Sequence, residues 1–165
     1  MTLQRISSHR GLLAIIGLAA FGLVAAGLVL ARTLNLAACP LCILQRMLYL
    51  ALAVESVAAF FLARRPVAGR SSAALMSITA LTGAGVAAYQ IWLQRFAQGI
   101  SCTADQPWWE RFVNWAGAQS PLLFEATGLC SEAGWKFLGL SIAEWSLIAF
   151  ATLAVASIVV VRRNS

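Results

Sequence analysis

The sequence predicts an all-α membrane protein: a four-transmembrane-helix bundle whose long second outer loop carries a short interfacial helix. Three observations carry that prediction. The 165 residues are 61% hydrophobic and only 11% charged, with a mean hydropathy of +0.81, whereas soluble domains hold about 45–50% apolar and about 25% charged residues. That composition excludes a soluble globule and a disordered chain alike. Four stretches are long and apolar enough to cross a bilayer, which takes about 20 residues. The net charge of +6 comes from arginines set between those apolar runs, not from one basic face of the kind that binds nucleic acid.

The spans read as about 11–31, 43–63, 71–93 and 140–161, each ended by charge, Pro or Gly, and together they form a single integral membrane domain over 1–165. The runs lack period-2 alternation, so transmembrane strands are excluded. Gly83, Gly85, Ala87 and Ala88 in the third span suit close helix packing in lipid. With both termini inside, the inner segments hold Arg5, Arg10, Arg64, Arg65, Arg70, Arg162 and Arg163 and no acid. The outer loops, 32–42 and 94–139, balance Arg32, Arg95, Arg111 and Lys136 against Asp105, Glu110, Glu125 and Glu132. This asymmetry predicts an N-in, C-in orientation. The first apolar run is too long for a signal-peptide core of 7–15 residues. Leu36-Ala37-Ala38-Cys39 mimics a lipoprotein cleavage box, but Arg32 and Asn35 separate it from the run, so the first span is expected to stay.

All four cysteines, Cys39, Cys42, Cys102 and Cys130, fall in the outer segments. An oxidising compartment such as the bacterial periplasm is where disulfides form and persist. Of the three possible pairings, the spacing favours Cys39 with Cys42 and Cys102 with Cys130. Cys39-Pro40-Leu41-Cys42 opens the second span, where the unpaired N–H groups of a helix start favour a thiolate and Pro40 suits the first turn. A CxxC can also be half of a zinc site. The single histidine, His9, lies on the other side of the membrane, so zinc would require all four cysteines.

Arg46 follows Cys42 by four residues, about 6 Å along the axis, and is the one cation inside a predicted span. Such a charge marks function by default; the plainer reading is a side chain snorkelling to the headgroups. If it faces the same pocket as Cys42, it can stabilise a thiolate or a developing oxyanion. In the second outer loop, Trp108, Phe112 and Trp115 share one face of a short helix, with Glu110, Arg111 and Asn114 turned away. That helix is expected to lie in the interface. Cys102 and Cys130 are expected on flexible flanks, open to a partner's thiols. Glu55 lies about 20 Å deeper than Cys42 and reads as structural, with Ser77, Thr79 and Thr82 as candidate partners, and Glu144 reads as interfacial.

On these features the chain resembles the DsbB family, membrane quinone–thiol oxidoreductases that reoxidise the periplasmic disulfide donor DsbA. The matching residues are Cys39-Pro40-Leu41-Cys42 at the start of span two, Arg46, the loop cysteines Cys102 and Cys130, and Trp135 five residues beyond Cys130. The resemblance implies a relay in a bacterial inner membrane. Electrons from a DsbA-type thioredoxin-fold protein pass through Cys102/Cys130, then Cys39/Cys42, to ubiquinone or menaquinone held near Cys42, Arg46 and Trp135, in a monomer that engages its partner transiently. Where some members carry a histidine near the outer end of span three, this chain reads Ala88-Tyr89-Gln90-Ile91-Trp92, leaving Tyr89 or Gln90 as donors. The competing classes are a four-span scaffold with structural disulfides or a four-cysteine metal site, and a reductive enzyme resembling the vitamin K epoxide reductase family. In that family the CxxC sits at the last span, unlike here.

Overall fold

The computed structural model describes residues 2–63, 66–96 and 107–163. Among them, four helices are long and apolar enough to cross a membrane: α1 (Thr2–Thr33, its apolar stretch starting at Arg10), α2 (Pro40–Leu62), α3 (Pro66–Phe96) and α6 (Ile142–Arg163). Between α3 and α6 lie two short helices, α4 (Trp108–Gln119) and α5 (Pro121–Phe124), and a hairpin of β1 (Lys136–Phe137) and β2 (Leu140–Ser141). The four-helix membrane bundle expected from the sequence is present. Its outward surface carries Ile15, Leu18, Phe21, Val57, Leu75, Ile78 and Val155, the apolar exterior that lipid, unlike water, accommodates.

The interior is built from small contacts at close range. α2 packs on α1 and α3, and α3 packs on α6, whereas α1 meets α6 less extensively. Leu13, Ile16, Ala20 and Val24 of α1 meet Leu52 and Ala59 of α2, while Met76 and Ala80 of α3 meet Phe150 and Leu153 of α6. Gly83 has a packing reason: a Cβ there would run into the Phe150 ring. Phe150 in turn stacks on Tyr49, centroids 4.0 Å apart and planes within 3°, and the Tyr49 hydroxyl lies 3.0 Å from Ser146 Oγ. Deeper in the bundle, Thr79 Oγ1 donates to Glu55 Oε1 at 2.8 Å. Of the three candidate partners for that carboxyl, Thr79 is the one it meets.

Two boundaries differ from the sequence reading for local reasons. α2 begins at Pro40, with Cys39 as its N-cap, because proline needs no N–H partner at the first position. α6 begins at Ile142 because Leu140 and Ser141 are taken by the hairpin, Lys136 facing Ser141. Leu138 and Gly139 turn that hairpin with φ of 52° and 82°, the positive values a two-residue type I′ connection requires. Ser141 and Glu144 then form a reciprocal capping box: Glu144 N donates to Ser141 Oγ at 3.3 Å and Ser141 N to Glu144 Oε2 at 2.7 Å. Glu144 Oε1 also takes Arg95 at 2.6 Å, joining the end of α3 to the start of α6.

α4 shows the expected aromatic face, with Trp108, Phe112 and Trp115 exposed. Arg111 and Asn114 are exposed as well, but Glu110 turns inward and is buried together with Val113, Ala116 and Gly117.

The Gly83 contact yields a paired test. Gly83→Ala forces Phe150 and Tyr49 apart and should cost about 1–3 kcal/mol as overpacking, lowering the thermal midpoint in detergent. Gly85→Ala, with nothing within 4 Å of the added Cβ, should leave it unchanged or raise it, since alanine is the better helix former.

Candidate active site

The start of α2 organises the thiols. Cys39 is extended (φ −85°, ψ 161°) and its sulfur caps the helix, accepting from Cys42 N at 3.3 Å. The two sulfurs lie 2.8 Å apart as a thiol pair, Cys39 Sγ donating, within reach of a disulfide.

A third sulfur joins them. Cys130 was expected on an open flank, and the structure corrects this: it is buried against Cys39 and Leu41. The cause is a backbone clamp. Thr127 N and Gly128 N both donate to Ala38 O at 2.9 Å, and Gly128 sits so tightly on Ala37 O that a side chain would not fit. This pins the segment before Cys130 onto the chain just before Cys39. Cys102 lies outside the described residues.

The Cys39–Cys130 contact polarises both thiols. Hydrogen bonding to Cys130 and then to Cys42, together with burial, pushes Cys39 far above the usual thiol range. The contact with Cys39, and then the Leu41 N–H, hold Cys130 below its ordinary value despite burial and despite the Cys42 and Glu110 charges, which oppose it. The two neighbouring thiols are thus shifted in opposite directions, Cys130 toward the thiolate and Cys39 away from it.

Beyond Cys42 opens a cavity of about 740 Å³, in the size range of small-molecule sites. It occupies the seam that α1 and α6 leave unfilled. Leu23, Val24 and Gly27 of α1 line one wall, Trp145 and Ala149 of α6 the other, and Cys42, Arg46 and Tyr49 of α2 the back. Its wall is overwhelmingly apolar; Cys42 and Arg46 supply the reactive sulfur and the charge. Arg46 is not snorkelling free: its Nη1 donates to the carbonyl of Leu123 in α5. Trp135 does not line the cavity but stacks on Phe137, which does, with centroids 5.7 Å apart. Trp145 Nε1 fastens the same strand by donating to Phe137 O at 3.1 Å.

A family model described as "Disulfide bond formation protein DsbB" matches residues 9–160. The chain belongs to the DsbB family. Among curated relatives, Disulfide bond formation protein B of Dechloromonas aromatica is 40% identical over 158 residues, 94% of this chain and 94% of that protein. Its counterpart from Nitrosospira multiformis is 38% identical over 147 residues, 87% and 86% of the two chains. A DsbB-family chain with four membrane-span-capable helices is a multi-pass membrane protein and a disulfide-forming oxidoreductase.

In this DsbB-family chain the structure therefore brings Cys39, Cys42, Cys130 and Arg46 into one region, with Trp135 one ring behind. Of the two span-three donors, Tyr89 is turned outward, whereas Gln90 is buried and meets the thiols. Sequence reasoning missed Gln45, buried beside Gln90, for which a polar residue one place before Arg46 was the only signal. It also missed the hairpin, because Leu138 at a positive φ is not one of the residues that signal a two-residue turn.

Cys130 can be titrated in full-length protein carrying Cys42→Ser and Cys102→Ser, which leaves Cys39 as the one other thiol, by identifying the alkylated cysteine and following the rate at Cys130 against pH. The midpoint should fall below the roughly 8.5 of a free thiol. Adding Cys39→Ala removes the main donor, so the midpoint should rise and the reactive fraction at neutral pH should drop.

Proposed function

We propose that this chain is a quinone-dependent thiol oxidase that reoxidises a DsbA-type periplasmic dithiol from the bacterial inner membrane, with both termini cytoplasmic. The observation that carries the reading is the continuity from Cys130 through Cys39 and Cys42 to an apolar cavity with a cation at its back. The cavity suits a quinone: it is large enough for a ring and apolar enough for an isoprenoid chain, and its polar groups gather at the Cys42 end. Cys42, Arg46 and the Phe137 strand backed by Trp135 would hold the head group. When bound, ubiquinone or menaquinone supplies the acceptor for two electrons and two protons.

The protein's own part is thiol exchange. A reduced partner's thiolate attacks Cys102 of a Cys102–Cys130 disulfide, forming a mixed disulfide and releasing the Cys130 thiolate. Cys130 then attacks Cys39 of the Cys39–Cys42 disulfide, so that a Cys130–Cys39 bond forms as the Cys39–Cys42 bond breaks. Cys42 leaves as a thiolate at the cavity wall. The burial of Cys130 against Cys39 supports this order, and Arg46 stabilises the charge that arrives at Cys42. The partner's second thiol then resolves its mixed disulfide and releases the Cys102 thiolate. That thiolate attacks Cys130 of the Cys130–Cys39 bond, so that the Cys102–Cys130 disulfide re-forms and Cys39 is left as a thiol beside the Cys42 thiolate. Two electrons and two protons leave the partner for each disulfide it gains.

Purified protein with a soluble ubiquinone analogue and a reduced DsbA-type protein should bleach the quinone absorbance only when the partner is present. Cys42→Ser and Cys102→Ser should each abolish turnover. Arg46→Ala should raise KM for quinone at least tenfold with the fold intact, and Arg46→Lys should recover part of it. Wild-type protein that is inert with every quinone offered would overturn the reading in favour of a scaffold or metal site.

A further inference from the structure

Two side-chain amides are buried beside the thiols, and no step above uses them. Gln90 of α3 is 2% exposed and Gln45 of α2 is 4% exposed. Polar groups so deeply buried must find their hydrogen bonds inside the protein. Gln45 Nε2 donates to Gln90 Oε1 at 2.7 Å. Gln90 Nε2 then faces both sulfurs, 3.1 Å from Cys42 Sγ and 3.3 Å from Cys39 Sγ. Helix α3 thus reaches the redox couple through one amide, and α2 fixes which end of that amide it presents.

The orientation matters because the two ends have opposite effects on sulfur. An N–H donor stabilises an anionic sulfur, and hydrogen bonds to charged acceptors are the stronger ones. A carbonyl oxygen turned onto the same sulfur would repel the anion. A disulfide sulfur carries no charge and gains far less from the donor. An amide held with its N–H groups on Cys39 and Cys42 therefore favours the reduced couple, which makes the disulfide a stronger oxidant.

We propose that Gln90 is a catalytic hydrogen-bond donor to the Cys39–Cys42 couple, that Gln45 is the positioning residue that keeps it donating, and that this pair raises the oxidising strength of the couple. The inference rests on the proposed function only in taking Cys39–Cys42 as a working redox pair.

The test uses the full-length protein in detergent, carrying Cys102→Ser and Cys130→Ser so that one couple remains. It is equilibrated with glutathione: two glutathione thiols give two electrons to the Cys39–Cys42 disulfide, and glutathione disulfide and two protein thiols result. The reduced fraction is read by alkylation. Gln90→Met, matched in length and lacking the donor, should shift the equilibrium about tenfold toward the disulfide, about 30 mV for a two-electron couple. Gln90→Glu, isosteric with the wild type, should shift it the same way, and serves if the apolar variant does not fold. Gln45→Glu should also do so, because its carboxylate draws Gln90 Nε2 toward itself and turns Oε1 onto the sulfurs. In a Gln90→Met background Gln45→Glu should add nothing, the non-additivity expected of a residue acting through another.

Gln90 variants that stay within twofold of the parent would overturn the proposal. So would a Gln45→Glu effect that persists without Gln90. Neither quinone nor partner protein enters the measurement, so a couple that equilibrates but ignores Gln90 overturns this inference alone. A couple that never forms a disulfide overturns the redox function with it.

Discussion

The convergence of two backbone N–H groups, from Thr127 and Gly128, on the single carbonyl of Ala38 is the constraint on which the reactive centre depends. It joins segments nearly ninety residues apart, at the point where one enters α2 and the other approaches Cys130. Backbone hydrogen bonds fix position more tightly than side-chain contacts, because no rotamer freedom remains in either partner. The glycine at 128 lets the two chains close to that distance. Cys130 is thus carried to Cys39 by the main chain, independently of any sulfur–sulfur bond.

The helices that support this clamp need to be rigid at one end only. Around Phe150, stacked on Tyr49 over Gly83, the bundle is closely packed. Above that layer α1 and α6 separate, and the cavity begins at Tyr49 and runs past Arg46 to Cys42. The aromatic layer works as a floor: it keeps the reactive end apart from the Glu55–Thr79 pair deeper in the bundle. The hairpin and its capping box close the other side, holding Phe137 over the cavity through Trp145.

Much of this was legible in the chain. The spans followed from length and hydropathy, because a bilayer tolerates few alternatives. Cys39, Pro40 and Cys42 announced a helix start, and Arg46 announced a charge that lipid would not accept without purpose. What escaped was tertiary. Cys130 sits among Gly128, Leu129 and Ser131, a composition that suggests an open loop. Its burial comes from a carbonyl at residue 38, which no local pattern encodes. Glu110 was placed correctly away from the aromatic face, but helical periodicity cannot say whether that side meets water or protein. Gln45 and Gln90 matter because they meet each other, forty-five positions apart, and polar residues inside spans are informative only once their partners are known.

The seam between α1 and α6 has a consequence for how supply to this centre should be counted. Leu23 and Ile148, one on each wall, are 40% and 48% exposed, so the seam reaches the apolar side of the bundle that lipid covers. A molecule entering there arrives by diffusion in two dimensions, and its effective concentration is moles per area of membrane. For such a molecule, dilution of the aqueous compartment leaves the supply untouched.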